Sequence, residues 1–129
     1  AFVTLGCIAM HAMRNAKVQL GDTVAVVGLG LIGQVLVRLL KLQGAHVIGL
    51  DVIPERVAGA KKYGAEKTML IKGNQGFAKE MARATENRGC DAVIVCTSGG
   101  SQELFEELAM SCRDRARFVL VGSFDVNLH

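Results

Sequence analysis

The sequence predicts an α/β fold, a doubly wound parallel sheet with the strand order 3-2-1-4-5. Short apolar runs, typical of buried parallel strands, alternate along the chain with longer segments of helical periodicity. The first run leads through a glycine cluster into a helix, and the second ends in an acidic residue. That arrangement is typical of a dinucleotide-binding (Rossmann) fold, in which the ligand lies where the strand order reverses.

The composition excludes several classes of protein. Half of the 129 residues are hydrophobic and only 21% are charged, which indicates a folded domain. A net charge of +3 without a basic run does not indicate nucleic-acid binding. No apolar segment reaches the roughly 18 residues of a membrane span, and residues 1–9 lack the basic start of a secretory signal. We therefore expect neither nucleic acid nor a membrane as a partner.

The cysteines indicate a reducing compartment. They contain no C-x-x-C pair, and most of them stand in apolar surroundings: Cys7, Cys90, Cys96 and Cys112. This pattern is typical of reduced core thiols in a cytoplasmic protein and not of a disulfide framework or a metal cluster.

The segment 2–18 is predicted to be a helix that precedes the first strand. Apolar residues recur in it at helical spacing: Leu5, Ile8, Ala9, Ala12 and Met13. His11 and Arg14 then fall on the exposed face, and residues 19–22 form a turn.

The first strand is predicted over 23–27, followed by a helix over 31–43 that ends at Gly44. One row of residues is expected to form the apolar face of that helix: Leu31, Val35, Leu39 and Leu42. The second strand is predicted over 46–50. Pro54 suits the first turn of the next helix, which continues to Gly64.

The second half of the chain continues the alternation. A third strand is predicted over 67–71, a helix from Phe77 to about Gly89, and a fourth strand over 91–96. Ser101 is placed to cap the last helix, which is expected to bury a set of apolar residues: Leu104, Phe105, Leu108 and Met110. The fifth strand is predicted over 117–121.

The glycines of the Gly28–Gly33 segment have the G-x-G-x-x-G spacing and follow the apolar run 24–27. Gly28 permits a tight turn, Gly30 lets the backbone approach a pyrophosphate, and Gly33 lets the new helix pack closely on the strand. Leu31 and Ile32 then lie in the first helical turn, where unpaired N–H groups attract phosphate. The segment predicts nucleotide binding.

Asp51 ends the second apolar run, where a dinucleotide-binding fold places an acid against the adenosine ribose. Its carboxylate is expected to accept two ribose hydroxyls and to repel the extra phosphate of NADP. Two unit charges about 4 Å apart interact by roughly 4 kcal/mol at an effective dielectric constant near 20. The sequence therefore predicts NAD. Val52 adjoins this acid, and Arg56 is expected to cover the adenosine.

Two later loops are expected to border the same ligand, because they follow the fourth and fifth strands. The first contains Thr97 and Ser98. The second contains Gly122, Ser123 and Phe124, and it is expected to lie nearer the nicotinamide.

Nearly the whole chain resembles the cofactor-binding domain of the medium-chain dehydrogenase/reductase family, the alcohol and sorbitol dehydrogenase group. The discriminating part of the resemblance is residues 8–13, in the helix before the first strand. The resemblance also extends over four further positions: 21–24, 28–33, Asp51 and 63–65. The resemblance implies hydride transfer between NAD(P) and an alcohol or carbonyl substrate. It also implies that residues 1–129 are one piece of a longer dehydrogenase whose catalytic domain, with the catalytic residues, lies outside this chain.

One departure from the family concerns zinc. In the zinc enzymes a ligand, usually Cys, falls four residues before the Thr of a Thr-Ala-x-His-Ala-Leu pattern, and the corresponding residues here are Thr4 and Ile8. Threonine is a poor zinc ligand, and Cys7 is out of register. We therefore expect no metal in this chain. The resemblance extends to family members without catalytic zinc, among them sugar-modifying oxidoreductases.

Two other functions fit the glycine cluster and the acid. One is a regulatory domain that senses NAD or ADP without chemistry, against which the helix before the first strand argues. The other is an S-adenosylmethionine-dependent methyltransferase, against which Gly33 argues because it suits a pyrophosphate turn.

The resemblance also implies association, because two such domains join in the family through the outermost strand of the sheet. The chain stops at His129, shortly after the fifth strand. Only Asp125 and His129 are expected to oppose pairing at the edge that this strand forms. An uncovered edge strand is a template for pairing with another chain, so we expect a homodimer.

Overall fold

The computed structural model describes residues 2–71, 77–96 and 102–121. Along the chain, helices and strands alternate in the following order: α1 (Phe2–Asn15), β1 (Thr23–Val27), α2 (Leu31–Gln43), β2 (His46–Asp51), α3 (Pro54–Tyr63), β3 (Lys67–Leu70), α4 (Phe77–Ala84), β4 (Cys90–Val95), α5 (Gln102–Met110) and β5 (Cys112–Leu120). The strands form one sheet in the order β3-β2-β1-β4-β5, and each pairing is parallel. The predicted fold class and strand order are confirmed.

The strand order reverses beside β1, which pairs with β2 on one side and β4 on the other. Val27, the last residue of β1, is in register with Leu50 and with Val95. All three strands therefore end at the same edge of the sheet. That edge is where a fold of this kind binds its ligand.

Helices cover both faces of the sheet, because successive residues of β1 point to opposite sides. Val24 and Val26 belong to a cluster that includes residues of α1, α2 and α3. Ala25 and Val27 belong to a second cluster on the other face, with residues of α4 and α5. Within the described part of the chain, no helix is long and apolar enough to cross a membrane.

The predicted apolar face of α2 is wrong at its two ends, whereas Val35 and Leu39 in its middle are half-buried and pack against the core. Leu31 is 61% exposed and Leu42 is 83% exposed, whereas the buried residues of the helix are Gly33, Leu36, Val37 and Leu40. Apolar residues surround nearly the whole helix, so periodicity alone does not select one row. The close approach of Gly33 to β1 sets the rotation of the helix and turns the predicted row partly outward.

The structure confirms the last helix but corrects its far end. Leu104 and Leu108 are buried as expected, but Met110 is 67% exposed at the final residue of α5. The side chain of Phe105 lies outside the described residues. β5 begins at Cys112, earlier than predicted, but its register with β4 is irregular until Arg117, where the predicted strand starts.

The structure ends two helices earlier than the sequence predicts. Helix α1 ends at Asn15 and not at Val18, and Lys17 has a φ of 50°. Helix α4 ends at Ala84, and Glu86 and Asn87 follow with φ values of 55° and 64°. Left-handed backbone does not continue a helix, so both ends follow from local conformation that side-chain patterning does not encode.

Candidate nucleotide-binding site at the glycine turn

The turn that follows β1 begins with a residue in the left-handed backbone conformation. Gly28 has a φ of 94°, a conformation that glycine adopts without strain. Its N–H donates a hydrogen bond of 2.8 Å to the carbonyl oxygen of Leu50 in the neighbouring strand. Leu29 then buries its side chain in the core, and Gly30 is the N-cap residue of α2. The turn is thus tied to both strands and to the helix that follows.

Gly33 lets α2 pack directly on this turn. A Cβ atom at Gly33 would overlap the carbonyl oxygen of Gly28 and would stand 3.0 Å from its carbonyl carbon. Among the described residues, a Cβ atom at Gly30 would meet only the Arg56 guanidinium, at 3.8 Å. There is therefore no free space between Gly33 and Gly28, whereas the space next to Gly30 is open to a ligand.

The amino end of α2 suits an anionic ligand. Its N-cap residue, Gly30, has no side chain that could cap the helix, and the first turn of the helix contains no acidic residue. The first N–H groups of a helix lack partners within the helix, and the helix dipole gives this end a partial positive charge. The open space above Gly30 fits a phosphate, including the pyrophosphate of a dinucleotide.

Asp51 is only 5% exposed, and backbone N–H groups surround its carboxylate. Oδ2 accepts a hydrogen bond of 2.6 Å from Leu29. Oδ1 accepts hydrogen bonds of 2.6 Å from Val52 and 3.1 Å from Ile53. A carboxylate has about four acceptor positions, and three of them hold backbone N–H groups of the described residues. Oδ2 therefore keeps one position for a ligand hydroxyl, and not the two that the sequence led us to expect.

Arg56, on α3, reaches back over the glycine turn. Its guanidinium Nη1 lies 3.9 Å from Asp51 Oδ2, and its side chain is 50% exposed. The structure therefore brings together the predicted residues of the turn, the end of β2 and the start of α3. Val52 is exposed beside them.

Gln34 is a residue of this site that the sequence interpretation did not identify. Its side-chain nitrogen donates to the carbonyl oxygens of Leu29 and Arg56, at 3.0 and 3.2 Å. The available signal was a polar residue directly after the third glycine, within an otherwise apolar stretch.

The remaining predicted residues, Thr97, Ser98, Gly122 and Ser123, lie outside the described residues, as does Phe124. The strands that lead to them end at the expected edge. The N–H of Cys96 donates to Val27 at 2.7 Å, and the N–H of Val121 donates to Val95 at 2.8 Å.

The cysteines do not form a metal centre in the described part of the chain. No group of three or more His, Cys, Asp or Glu residues there is placed to hold a metal ion. The four cysteines form no disulfide, and Cys7 is exposed whereas Cys90 is buried. Burial, with smaller contributions from Cys112 and Asp91, raises the pKa of Cys90 to about 12. Cys90 is therefore a neutral thiol at neutral pH.

Comparison with known proteins identifies relatives over most of the chain. A family model described as zinc-binding dehydrogenase matches residues 32–129. The D-guloside 3-dehydrogenase of Escherichia coli K12 is 42% identical over 97 residues, covering 74% of this chain and 27% of that protein. The NAD-dependent alcohol dehydrogenase of Saccharolobus solfataricus is 32% identical over 126 residues, covering 96% of this chain and 35% of that protein.

A third relative uses the other nicotinamide cofactor. The NADP-dependent isopropanol dehydrogenase of Clostridium beijerinckii is 34% identical over 101 residues, covering 78% of this chain and 28% of that protein. The solved structure of AibC matches with a TM-score of 0.81 and 28% identity, over 91% of this chain and 34% of that chain. The chain thus spans between 27% and 35% of the length of these curated relatives.

Proposed function

The chain belongs to the zinc-binding dehydrogenase family, and from that premise we propose that it is the NAD(H)-binding domain of an oxidoreductase. The reaction is hydride transfer between the nicotinamide and an alcohol or carbonyl substrate, including those of the sugar type. Residues 1–129 form one cofactor domain of a longer enzyme. The observation that carries the proposal is the open glycine turn with the Asp51 carboxylate held against it.

The predicted family resemblance is confirmed by the match to residues 32–129. The family description names zinc, but the described residues contain no group that fits a metal ion. We therefore assign no metal to these residues, and the expectation of a metal-free chain stays a prediction.

Different residues of the site bind different parts of the cofactor. The N–H groups at the start of α2, around Leu31 and Ile32, bind the pyrophosphate. Asp51 Oδ2 accepts a hydroxyl of the adenosine ribose, and Arg56 covers that half of the ligand. The cofactor supplies the hydride, while this chain binds and orients it. We assign no catalytic residue within the chain.

We expect the chain to prefer NAD(H) to NADP(H), because a 2′-phosphate would approach the Asp51 carboxylate. Arg56 and the three N–H groups offset part of that negative charge. We therefore expect a preference of about tenfold, less than two isolated charges would give. Separate titrations of the chain with NADH and NADPH measure it. Equal affinities, or tighter binding of NADPH, would contradict the preference.

We also propose that two copies of the chain associate through β5. This strand lies at one edge of the sheet, and Leu120 near its end is exposed. An edge strand offers unpaired backbone groups to a second strand, and a lysine at the edge opposes such pairing. Light scattering over a concentration series is expected to show dimers for the native chain and fewer for Leu120→Lys. A native chain that stays monomeric at high concentration would refute the proposal.

A further inference from the structure

Gln34 connects two parts of the molecule that are far apart in sequence. It stands in the first turn of α2, directly after Gly33. Its side-chain nitrogen donates a hydrogen bond of 3.0 Å to the carbonyl oxygen of Leu29 in the glycine turn. The same nitrogen donates a hydrogen bond of 3.2 Å to the carbonyl oxygen of Arg56 in the first part of α3. One primary amide therefore spans the pyrophosphate side and the ribose side of the proposed site.

The geometry fixes the orientation of this amide. An NH₂ group carries two hydrogens, which match the two carbonyl oxygens it faces. The reverse orientation would set the amide oxygen against both carbonyls. Leu29 is consequently held at both of its backbone polar groups, since Asp51 accepts its N–H at 2.6 Å and Gln34 donates to its carbonyl.

The oxygen of the Gln34 amide contributes nothing to the stability of the fold. This Oε1 atom is buried and accepts no hydrogen bond from the described residues. A buried acceptor without a partner lowers stability and offsets part of what the two donated bonds contribute. Gly59 on α3 makes the arrangement fit, because a Cβ atom there would lie only 3.3 Å from the Gln34 nitrogen.

We propose that Gln34 is a positioning residue for the cofactor. It fixes the distance between the glycine turn and the start of α3, so that the pyrophosphate and the adenosine ribose are held in one geometry. This proposal rests on the proposed function. It assigns Gln34 no contact with the reacting atoms.

Gln34→Met tests the proposal, because it keeps the length of the side chain and removes both donated bonds. We expect about tenfold weaker binding of NADH, since two backbone contacts that pre-organise the turn are lost. Gln43→Met is the matched control, because Gln43 lies at the other end of α2 and donates to the Val18 carbonyl at 2.9 Å. It removes a bond of the same kind, and NADH affinity is expected to stay within about twofold.

Gly59→Ala is a second variant that keeps Gln34 in place. Alanine favours a helix more than glycine does, so thermal stability should hold or rise. The new methyl group pushes the Gln34 amide away from Arg56, so NADH affinity should fall about threefold. Stability and affinity then change in opposite directions, which a purely structural role does not produce. This variant decides the question if Gln34→Met does not fold.

The outcomes separate this proposal from the proposed function. A native chain that does not bind NADH refutes the NAD(H)-binding function itself. If the native chain binds NADH, the positioning role is overturned when Gln34→Met and Gly59→Ala both bind it as tightly as the native chain does. It is equally overturned when Gln43→Met weakens binding as much as Gln34→Met.

Discussion

Gly33→Ala is expected to lower the free energy of unfolding by about 3 kcal/mol, the upper part of the range for overpacking a close contact. The added Cβ would overlap the carbonyl oxygen of Gly28, and backbone cannot rotate aside as a flexible side chain does. Helix α2 must therefore move away from β1. Alanine gains up to about 1 kcal/mol in helix propensity, which offsets only part of the loss. Urea denaturation followed by circular dichroism measures the change.

Gly30→Ala is the matched control for this change. A Cβ at Gly30 would lie 3.8 Å from the Arg56 guanidinium, an ordinary contact. The backbone of Gly30 is extended, with a φ of −72°, so no left-handed conformation requires glycine there. Its denaturation midpoint is expected to stay close to that of the native chain. If Gly33→Ala is as stable as Gly30→Ala, then α2 does not pack on the turn as described.

Asp51→Ala is expected to reduce both stability and cofactor binding. It removes the acceptor of three backbone N–H groups, and that of Leu29 is buried. Hydrogen bonds to a charged acceptor contribute about 1.5–3 kcal/mol each, but neighbouring bonds are not additive, so we expect a loss of about 3 kcal/mol. NADH binding is expected to weaken more than NADPH binding, because the acceptor for the ribose hydroxyl disappears. Denaturation and titration of the same variant give both values.

Asp91→Ala separates the two effects of Asp51→Ala. Asp91 accepts the N–H of Thr23 at 2.7 Å and pairs with Arg113 at 2.6 Å. It therefore resembles Asp51 in its contacts but lies at the opposite end of the sheet. This control should lose stability and keep its NADH affinity. Native-like NADH binding by Asp51→Ala, or an equal loss in Asp91→Ala, would show that Asp51 has no specific part in the site.

The central strands were predictable from the sequence because buried parallel strands are continuous apolar runs. The strand order followed from the glycine turn and the strand-end acid, which are typical of a dinucleotide-binding fold. The start of β5 was not predictable, because its first residues are mostly polar and exposed. The apolar run 24–27 is typical of a buried strand, and the glycines after it determine where α2 begins. The rotation of α2 was not predictable, because apolar residues occur on most of its circumference. Only the three-dimensional contact of Gly33 with Gly28 shows why Leu36 and Leu40 are buried while Leu42 is exposed.

The sequence predicted those residues of the candidate site that belong to the dinucleotide-binding motif, but not the contacts between them. Asp51 was identified from its position at a strand end, but its hydrogen bond with Leu29 joins residues 22 positions apart. The bond between Gln34 and the Arg56 carbonyl spans the same separation. Backbone groups carry no sequence signal, so side chains that bind them are recognised only when the chain is folded.

Side-by-side titration of the native chain and Gly30→Ala with NADH tests the central claim most directly. The chain contains no tryptophan, so the fluorescence of the cofactor reports binding without interference from that residue. We expect saturable binding at a single site for the native chain, and at least tenfold weaker binding for Gly30→Ala, because its methyl group occupies the space of the pyrophosphate. Absence of saturable binding by the native chain, or equal binding by a folded Gly30→Ala, would contradict the account.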